Sequence, residues 1–216
     1  MTAPLWTRDE VIAATGGRAQ GADWSASGVS IDSRTLEAGD LFVAIAGENS
    51  DGHTYVERAL KSGASAAIVA RSDEAMRAAG SLVVVDDTLK ALEALGRAAR
   101  ARTQAKVVAV TGSVGKTGTK EALRLILSEQ GATHASAASY NNMWGVPLSL
   151  ARMPADTRFG IFEVGMNHPG EITPLSRLVE PFAALITTVE AVHMAFFDSV
   201  EQIADAKGEI FDGLQK

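Results

Sequence analysis

The protein contains no cysteine. Disulfides, cysteine-ligated zinc and a thiol nucleophile are therefore outside its chemistry, and the absence fits a cytosolic setting. Long apolar runs are missing as well: none approaches the roughly 18 residues that a transmembrane helix needs. Residues 1–10 carry charges where a secretory signal would need an apolar stretch. The expectation is a cytoplasmic protein without membrane insertion. Basic residues are in the minority, 20 Lys and Arg against 26 Asp and Glu, for a formal net charge of −6. That balance argues against nucleic acid as the main partner, because phosphate backbones attract basic surfaces. Small anions are not excluded, since local donors can hold them. No internal repeat and no low-complexity tract is present.

The 216 residues give room for one large domain or two modest ones. Short apolar runs at 27–31, 41–45, 65–70 and 82–85 read as strands, and 55–61 as a helix ending near Gly63. Asp86 or Asp87 can cap the next helix, where Leu89, Leu92 and Leu95 share a face. Its polar end near 100–104 marks the expected boundary, giving domains at 1–104 and 105–216. The pattern then restarts with a buried-type strand at 107–110, a glycine turn, and a helix over 116–129 stopped by Gly131. Residues 159–164 and 183–189 read as strands and 200–211 as a helix. Repeated strand–turn–helix units predict an α/β fold with a mostly parallel sheet.

The glycine turn is the segment Thr111-Gly112-Ser113-Val114-Gly115-Lys116-Thr117. A strand that opens through such a turn into a helix makes an anion site. The first N–H groups of the helix lack intrahelical partners, and its dipole favours negative charge. Gly112 and Gly115 let the backbone approach phosphate oxygens, Lys116 can reach the β and γ phosphates, and the Thr117 hydroxyl can ligate Mg²⁺. The strict motif wants glycine where Val110 stands, so this is a shortened form.

Other candidates follow the loop. Glu163 ends the strand at 159–164, and ligands of open α/β sheets bind outside the carboxyl ends of strands. A carboxylate there can hold Mg²⁺; a strand-end glutamate facing solvent is the competing reading. His193 falls shortly after the strand at 183–189 and so near the same edge, though a lone histidine is more often structural than a ligand. Spacing alone makes Lys207 a plain surface lysine. Residues 167–171 read as a turn and helix start. Tyr140-Asn141-Asn142 with Gly145-Val146-Pro147 reads as a turn cluster with exposed amides.

Taken together, these segments resemble the Mur ligases, cytoplasmic bacterial enzymes that build the peptide of peptidoglycan. The resemblance rests on Asp32-Ser33-Arg34, residues 39–44, Asp51-Gly52-His53, the loop at 111–117, Tyr140-Asn141-Asn142, residues 163–172 and residues 206–211. The Asn-His-Pro-Gly-Glu-Ile and Tyr-Asn-Asn segments favour the member that adds D-alanyl-D-alanine to UDP-MurNAc-tripeptide. The resemblance implies a small UDP-sugar-binding α/β domain over 1–104, with Ser33, Arg34, Asp51 and His53 as contacts, joined by Asn141 and Asn142. It also implies part of a P-loop-type ATPase domain over 105–216. Gly112, Ser113, Val114, Gly115, Lys116 and Thr117 would hold ATP. Thr117, Glu163, His193 and Lys207 would serve two Mg²⁺ ions, with Lys207 carbamylated, and Lys116, Lys207 and His193 would be catalytic. The implied chemistry passes through an acyl phosphate and releases ADP and phosphate.

Val114, Gly118, Ala195 and Asp198 depart from the family pattern. Family members have three domains and about twice this length, so the chain is expected to be a partial, inactive piece of a monomeric enzyme. The alternatives are a sister ligase that adds the third amino acid and a non-catalytic UDP-sugar-binding fragment.

Overall fold

A computed structural model of the protein describes residues 3–47, 50–137, 140–191 and 196–215. The chain divides into two units, Met1–Ala98 and Ala99–Lys216. The first begins with β1 (Trp6–Thr7) and α1 (Arg8–Thr15). A capping box between Thr7 and Glu10 starts α1, and Gly16 ends it at φ 68°. There follow β2 (Arg18–Gln20), β3 (Ser25–Ala26), β4 (Gly28–Ser30), β5 (Asp40–Val43), α2 (Val56–Lys61), β6 (Ala66–Val69), α3 (Glu74–Ala79) and β7 (Leu82–Val84). β1 pairs with β3, and the larger sheet has the order β2-β7-β6-β5-β4. All its pairings are parallel except β2 with β7. Every residue of β5 and β6 is buried, as expected of parallel strands covered on both faces.

Helix α4 (Thr88–Ala101) leaves the first unit and ends in the second. Asp87 caps it, its Oδ1 accepting from the N–H groups of Leu89 and Lys90 at 2.8 and 3.0 Å. The Thr88 hydroxyl donates to the Ala44 carbonyl at 2.9 Å. Leu92 and Leu95 are fully buried.

The second unit contains β8 (Lys106–Thr111), α5 (Lys116–Ser128), β9 (Thr133–Ala135), α6 (Gly145–Ala151), β10 (Phe159–Glu163), α7 (Ile172–Val179), β11 (Ala183–Ile186) and α8 (Val200–Gly208). Its sheet is parallel throughout, with order β11-β8-β10-β9. The carboxyl ends of all four strands therefore share one edge. The core joins Val107 and Ala109 of β8 with Phe162 of β10, Val146 and Leu150 of α6 and Ile203 of α8. Buried Arg100 donates to the carbonyls of Val179 and Glu180 at 2.9 and 3.1 Å, closing the carboxyl end of α7.

The expected α/β architecture with mostly parallel sheets is the one found. Three sequence readings are corrected. The turn cluster at 145–147 is the start of α6, a helix buried at every position. The Asn142 side chain accepts from the N–H groups of Trp144 and Gly145 at 3.2 and 2.9 Å. Pro147 sits in the first turn, where its missing N–H leaves nothing unpaired. A helix apolar on all sides shows no amphipathic stripe, which is why its periodicity did not announce it. The strand read over 183–189 stops at Ile186, and the helix read over 200–211 gives way to a 3-10 turn at Glu209–Gly213. Elements α1, β2, α3 and β9, eight residues or fewer each, carried no clear periodicity.

Burial of α6 makes a testable contrast. Leu148→Ala is expected to destabilise the chain by about 2–5 kcal/mol. Leu125→Ala, on the exposed face of α5, should fall within about 0.5 kcal/mol of wild type. Urea unfolding of the two variants measures both; equal small effects would mean that α6 is not in the core.

Candidate active site

The loop between β8 and α5 is shaped by glycine and by threonine. Gly112 has φ 147° and Gly115 φ 86°, backbone that disfavours a side chain. A Cβ at Gly112 would also lie 1.9 Å from the Thr187 hydroxyl. That closeness follows from the segment after β11, which braces the loop. Ser113 N–H donates to the Thr188 carbonyl at 2.9 Å, and Val114 N–H to the Thr188 hydroxyl at 3.1 Å. Glu190 N–H donates to the Ser113 hydroxyl at 2.9 Å. Lys116 Nζ donates to the Gly112 carbonyl at 2.6 Å across the turn.

Around this loop the shared sheet edge gathers further groups. Glu163, in register with Val110 of β8, is completely buried (0 % exposed), so the solvent-facing alternative is wrong. Neither carboxylate oxygen receives a hydrogen bond. The nearest cation is Lys120, 3.5 Å from Oε1 and itself 1 % exposed. Lys120 Nζ also donates to the Ser136 carbonyl at 2.9 Å, just past β9. Lys207 is 2 % exposed, which corrects its reading as a surface lysine. Burial first, and then the like charge of Lys116, push its amine down from the ordinary 10.5 to about 8. Helix α8 places it there, and the following Glu209 fixes that helix end. The Glu209 carboxylate accepts from the N–H groups of Gly170, Ile172 and Thr173 at 2.7, 3.1 and 3.0 Å, capping α7 from a distance. Glu171 in turn closes the 167–171 turn, accepting from Asn167 N–H at 2.6 Å and lying 2.9 Å from His168 Nδ1.

The structure thus brings the loop, Glu163, Lys116 and Lys207 to one unit, with the loop and Glu163 on one sheet edge. Thr117 stands exposed in the first turn of α5, and His193 lies outside the described residues. Among the described residues no three His, Asp or Glu side chains come together as a metal cage. A single buried carboxylate with two unsatisfied oxygens still suits Mg²⁺, which commonly takes one or two carboxylates and completes its shell with water and phosphate. Sequence reasoning missed Lys120, Ser136, Thr187, Thr188 and Glu209. Only Lys120 carried a usable signal, standing four residues after Lys116 and so on the same helix face.

Of the residues read as sugar-substrate contacts, four belong to the first unit. Arg34 is paired with Asp32, Nη2 to Oδ2 at 2.7 Å, and this guanidinium lowers the Asp32 carboxyl to about 2. Ser33 lies beside it, partly exposed. Asp51 accepts from Arg71 and from His53 N–H at 3.0 Å. Arg71 first, then the His53 N–H, hold it below the usual carboxylate range. Buried His53 accepts the Ala70 N–H at Nε2, 2.8 Å. Its Nδ1, 2.7 Å from Asp51 Oδ1, must therefore carry the proton. Both ring nitrogens are used within the fold. A cavity of about 350 Å³ in this unit is lined by Arg18, Asp86, Asp87 and Lys90 among others, and by none of these four. In the second unit the Asn141 carbonyl accepts Gly165 N–H at 2.7 Å, and Asn142 caps α6.

Comparison with known proteins agrees with this geometry. A family described as "Mur ligase middle domain" matches residues 110–216, and one described as "Mur ligase family, catalytic domain" matches residues 25–103. A UDP-N-acetylmuramoyl-tripeptide--D-alanyl-D-alanine ligase from Rickettsia prowazekii is 41% identical over 188 residues, covering 87% of this chain and 41% of its own. The Escherichia coli ligase of the same name is 40% identical over 198 residues, covering 92% and 43%. Among solved structures, MurF from Acinetobacter baumannii superposes with a TM-score of 0.86 at 36% identity, covering 97% of this chain and 47% of that one. MurF ligase from Thermotoga maritima in complex with ADP gives 0.73 at 30%, covering 87% and 43%. The chain spans less than half the length of these relatives.

The Lys207 environment predicts a pH signature. Its amine binds a proton up to about pH 8 when folded and up to 10.5 when unfolded. Below pH 8 both states are protonated and burial of the charge is a constant cost. Between the two values the unfolded chain holds more protons, so wild-type stability rises with pH. Lys207→Met removes the cost. In CO₂-free buffer it should be more stable than wild type at pH 7 by up to about 3 kcal/mol, with the gap closing towards pH 10.5. A gap independent of pH would rule out the depressed amine.

Proposed function

The chain belongs to the Mur ligase family, and from that premise we propose that it is the UDP-sugar-peptide-binding and nucleotide-binding portion of a ligase that joins D-alanyl-D-alanine to UDP-MurNAc-tripeptide. The observation that carries this reading is the glycine loop at the carboxyl edge of a parallel sheet, with buried, unsatisfied Glu163 in register beside it.

In the proposed reaction a carboxylate oxygen of the tripeptide attacks the γ-phosphorus of ATP and ADP leaves. The amine of D-alanyl-D-alanine then attacks the acyl phosphate carbon, loses a proton and expels phosphate. The first step brings two anions together, so its barrier falls with positive charge placed along the transferring phosphoryl group. The backbone N–H groups at the start of α5 cradle the phosphates, and Lys116 swings from the Gly112 carbonyl to the β and γ oxygens. Thr117 and Glu163, with His193 and Lys207 by family resemblance, are the residues that would hold Mg²⁺, which supplies charge neutralisation and orientation when bound. The depressed Lys207 amine has a neutral fraction near pH 7, the form that adds CO₂. Carbamylation would convert this cation beside Lys116 into an anionic oxygen ligand. Ser33, Arg34, Asp51 and His53, the last braced against Asp51 and Ala70, form the UDP-sugar end, and Asn141 and Asn142 serve the reacting peptide. The whole enzyme acts as a cytoplasmic monomer in peptidoglycan precursor synthesis.

Calorimetric titration of the chain with Mg·ATP and with UDP-MurNAc-tripeptide tests the two binding assignments separately. In the full-length ligase, Lys116→Ala is expected to lower D-alanyl-D-alanine-dependent phosphate release about a hundredfold or more. Near-normal turnover, or activity with single amino acids in place of the dipeptide, would overturn the assignment.

A further inference from the structure

Helix α5 carries a second lysine one turn beyond Lys116. Lys120 is among the largest fully buried side chains of the protein. Its ammonium lies near acceptors that include the Ser136 carbonyl at 2.9 Å, Glu121 Oε1 at 3.1 Å and Glu163 Oε1 at 3.5 Å. Glu121 is itself held by Arg124, Nε to Oε2 at 2.7 Å. A buried ion pair that served stability alone would be close and fully hydrogen-bonded, because desolvating two charges is otherwise uncompensated. Here the link to Glu163 is longer than those to Ser136 and Glu121, and among the described residues neither Glu163 oxygen has a hydrogen-bond partner. The lysine is anchored elsewhere and touches the carboxylate lightly at one oxygen.

We propose that Lys120 is a positioning residue: it steadies Glu163 through Oε1, ties that carboxylate to the helix of the phosphate loop, and leaves Oε2 for a divalent cation. One rigid helix then sets the spacing between the loop, Lys116 and the carboxylate. The inference rests on reading the loop and Glu163 as a Mg·nucleotide site.

The test compares wild type, Lys120→Met, Lys120→Arg and Glu163→Gln for ADP affinity without metal and for Mn²⁺ uptake with ADP present, followed by electron paramagnetic resonance. Loss of the tether should weaken Mn²⁺ binding by about 10–100-fold in Lys120→Met, with Lys120→Arg recovering most of it and metal-free ADP affinity within about twofold of wild type. Glu163→Gln should match Lys120→Met. Unchanged Mn²⁺ affinity in folded Lys120→Met, or an equal loss of ADP with and without metal, makes Lys120 purely structural. If wild type takes up ADP but no Mn²⁺, this proposal fails while the nucleotide assignment stands; if it takes up neither, both fail. Should Lys120→Met not fold, the wild-type chain labelled with ¹⁵N-lysine decides. The Lys120 Nζ resonance should shift with Mg·ADP and not with metal-free ADP, and an unmoved resonance overturns the proposal.

Discussion

The second unit depends on how an isolated stretch of glycine-bearing backbone is kept in one shape. A loop with two positive-φ glycines has little intrinsic preference for the conformation it adopts. Its order comes from outside, from the donors and acceptors of residues 187–190 that fasten Ser113 and Val114. Because β11 lies next to β8 in the sheet, those partners arrive at the correct height without a connection of their own. The shape of the loop is thus a product of strand order as much as of the glycines.

Charge is distributed with the same economy. The chain as a whole is acidic, yet the second unit buries or half-buries Lys116, Lys120 and Lys207. Among the described residues of this unit one completely buried carboxylate, Glu163, stands against them, with half-exposed Glu121 beside Lys120. In a low-dielectric setting such a local excess of positive charge outweighs the distant acidic surface, which salt and water screen. Net charge bears on polyanions the size of nucleic acid and says nothing about a small anion held by local donors.

Much of this was readable in the sequence, for reasons that differ from residue to residue. The glycine turn at 111–117 was legible because its residues are contiguous, and β8 and β10 because mostly buried parallel strands are written as apolar runs. Glu163 could be placed at a strand end, but its burial depends on α5 and on Ser136, 27 residues away, so inside and outside stayed undecided. Lys207 looked like surface because its neighbours Ala204, Asp205, Ala206, Gly208 and Glu209 are polar or small, which hides what a tertiary fold does with one turn of helix. Helix α6 looked like a turn because Gly145 and Pro147 punctuate it, and tertiary burial overrode that local signal. In the first unit, the Asp51–His53 turn was visible as a motif. What the sequence could not convey is that its histidine is spent on holding Ala70 and Asp51.

The brace on the phosphate loop has a consequence for how the site comes into being. Ser113 and Val114 find their partners 74 to 77 residues further along the chain, across β9, α6, β10 and α7. Contacts of such long sequence separation are closed late, after local helices and neighbouring strands have formed. The motif leaves the ribosome early, but the cradle cannot set until Thr187 and Thr188 have followed. The shape of the loop is therefore acquired only once β11 has docked beside β8.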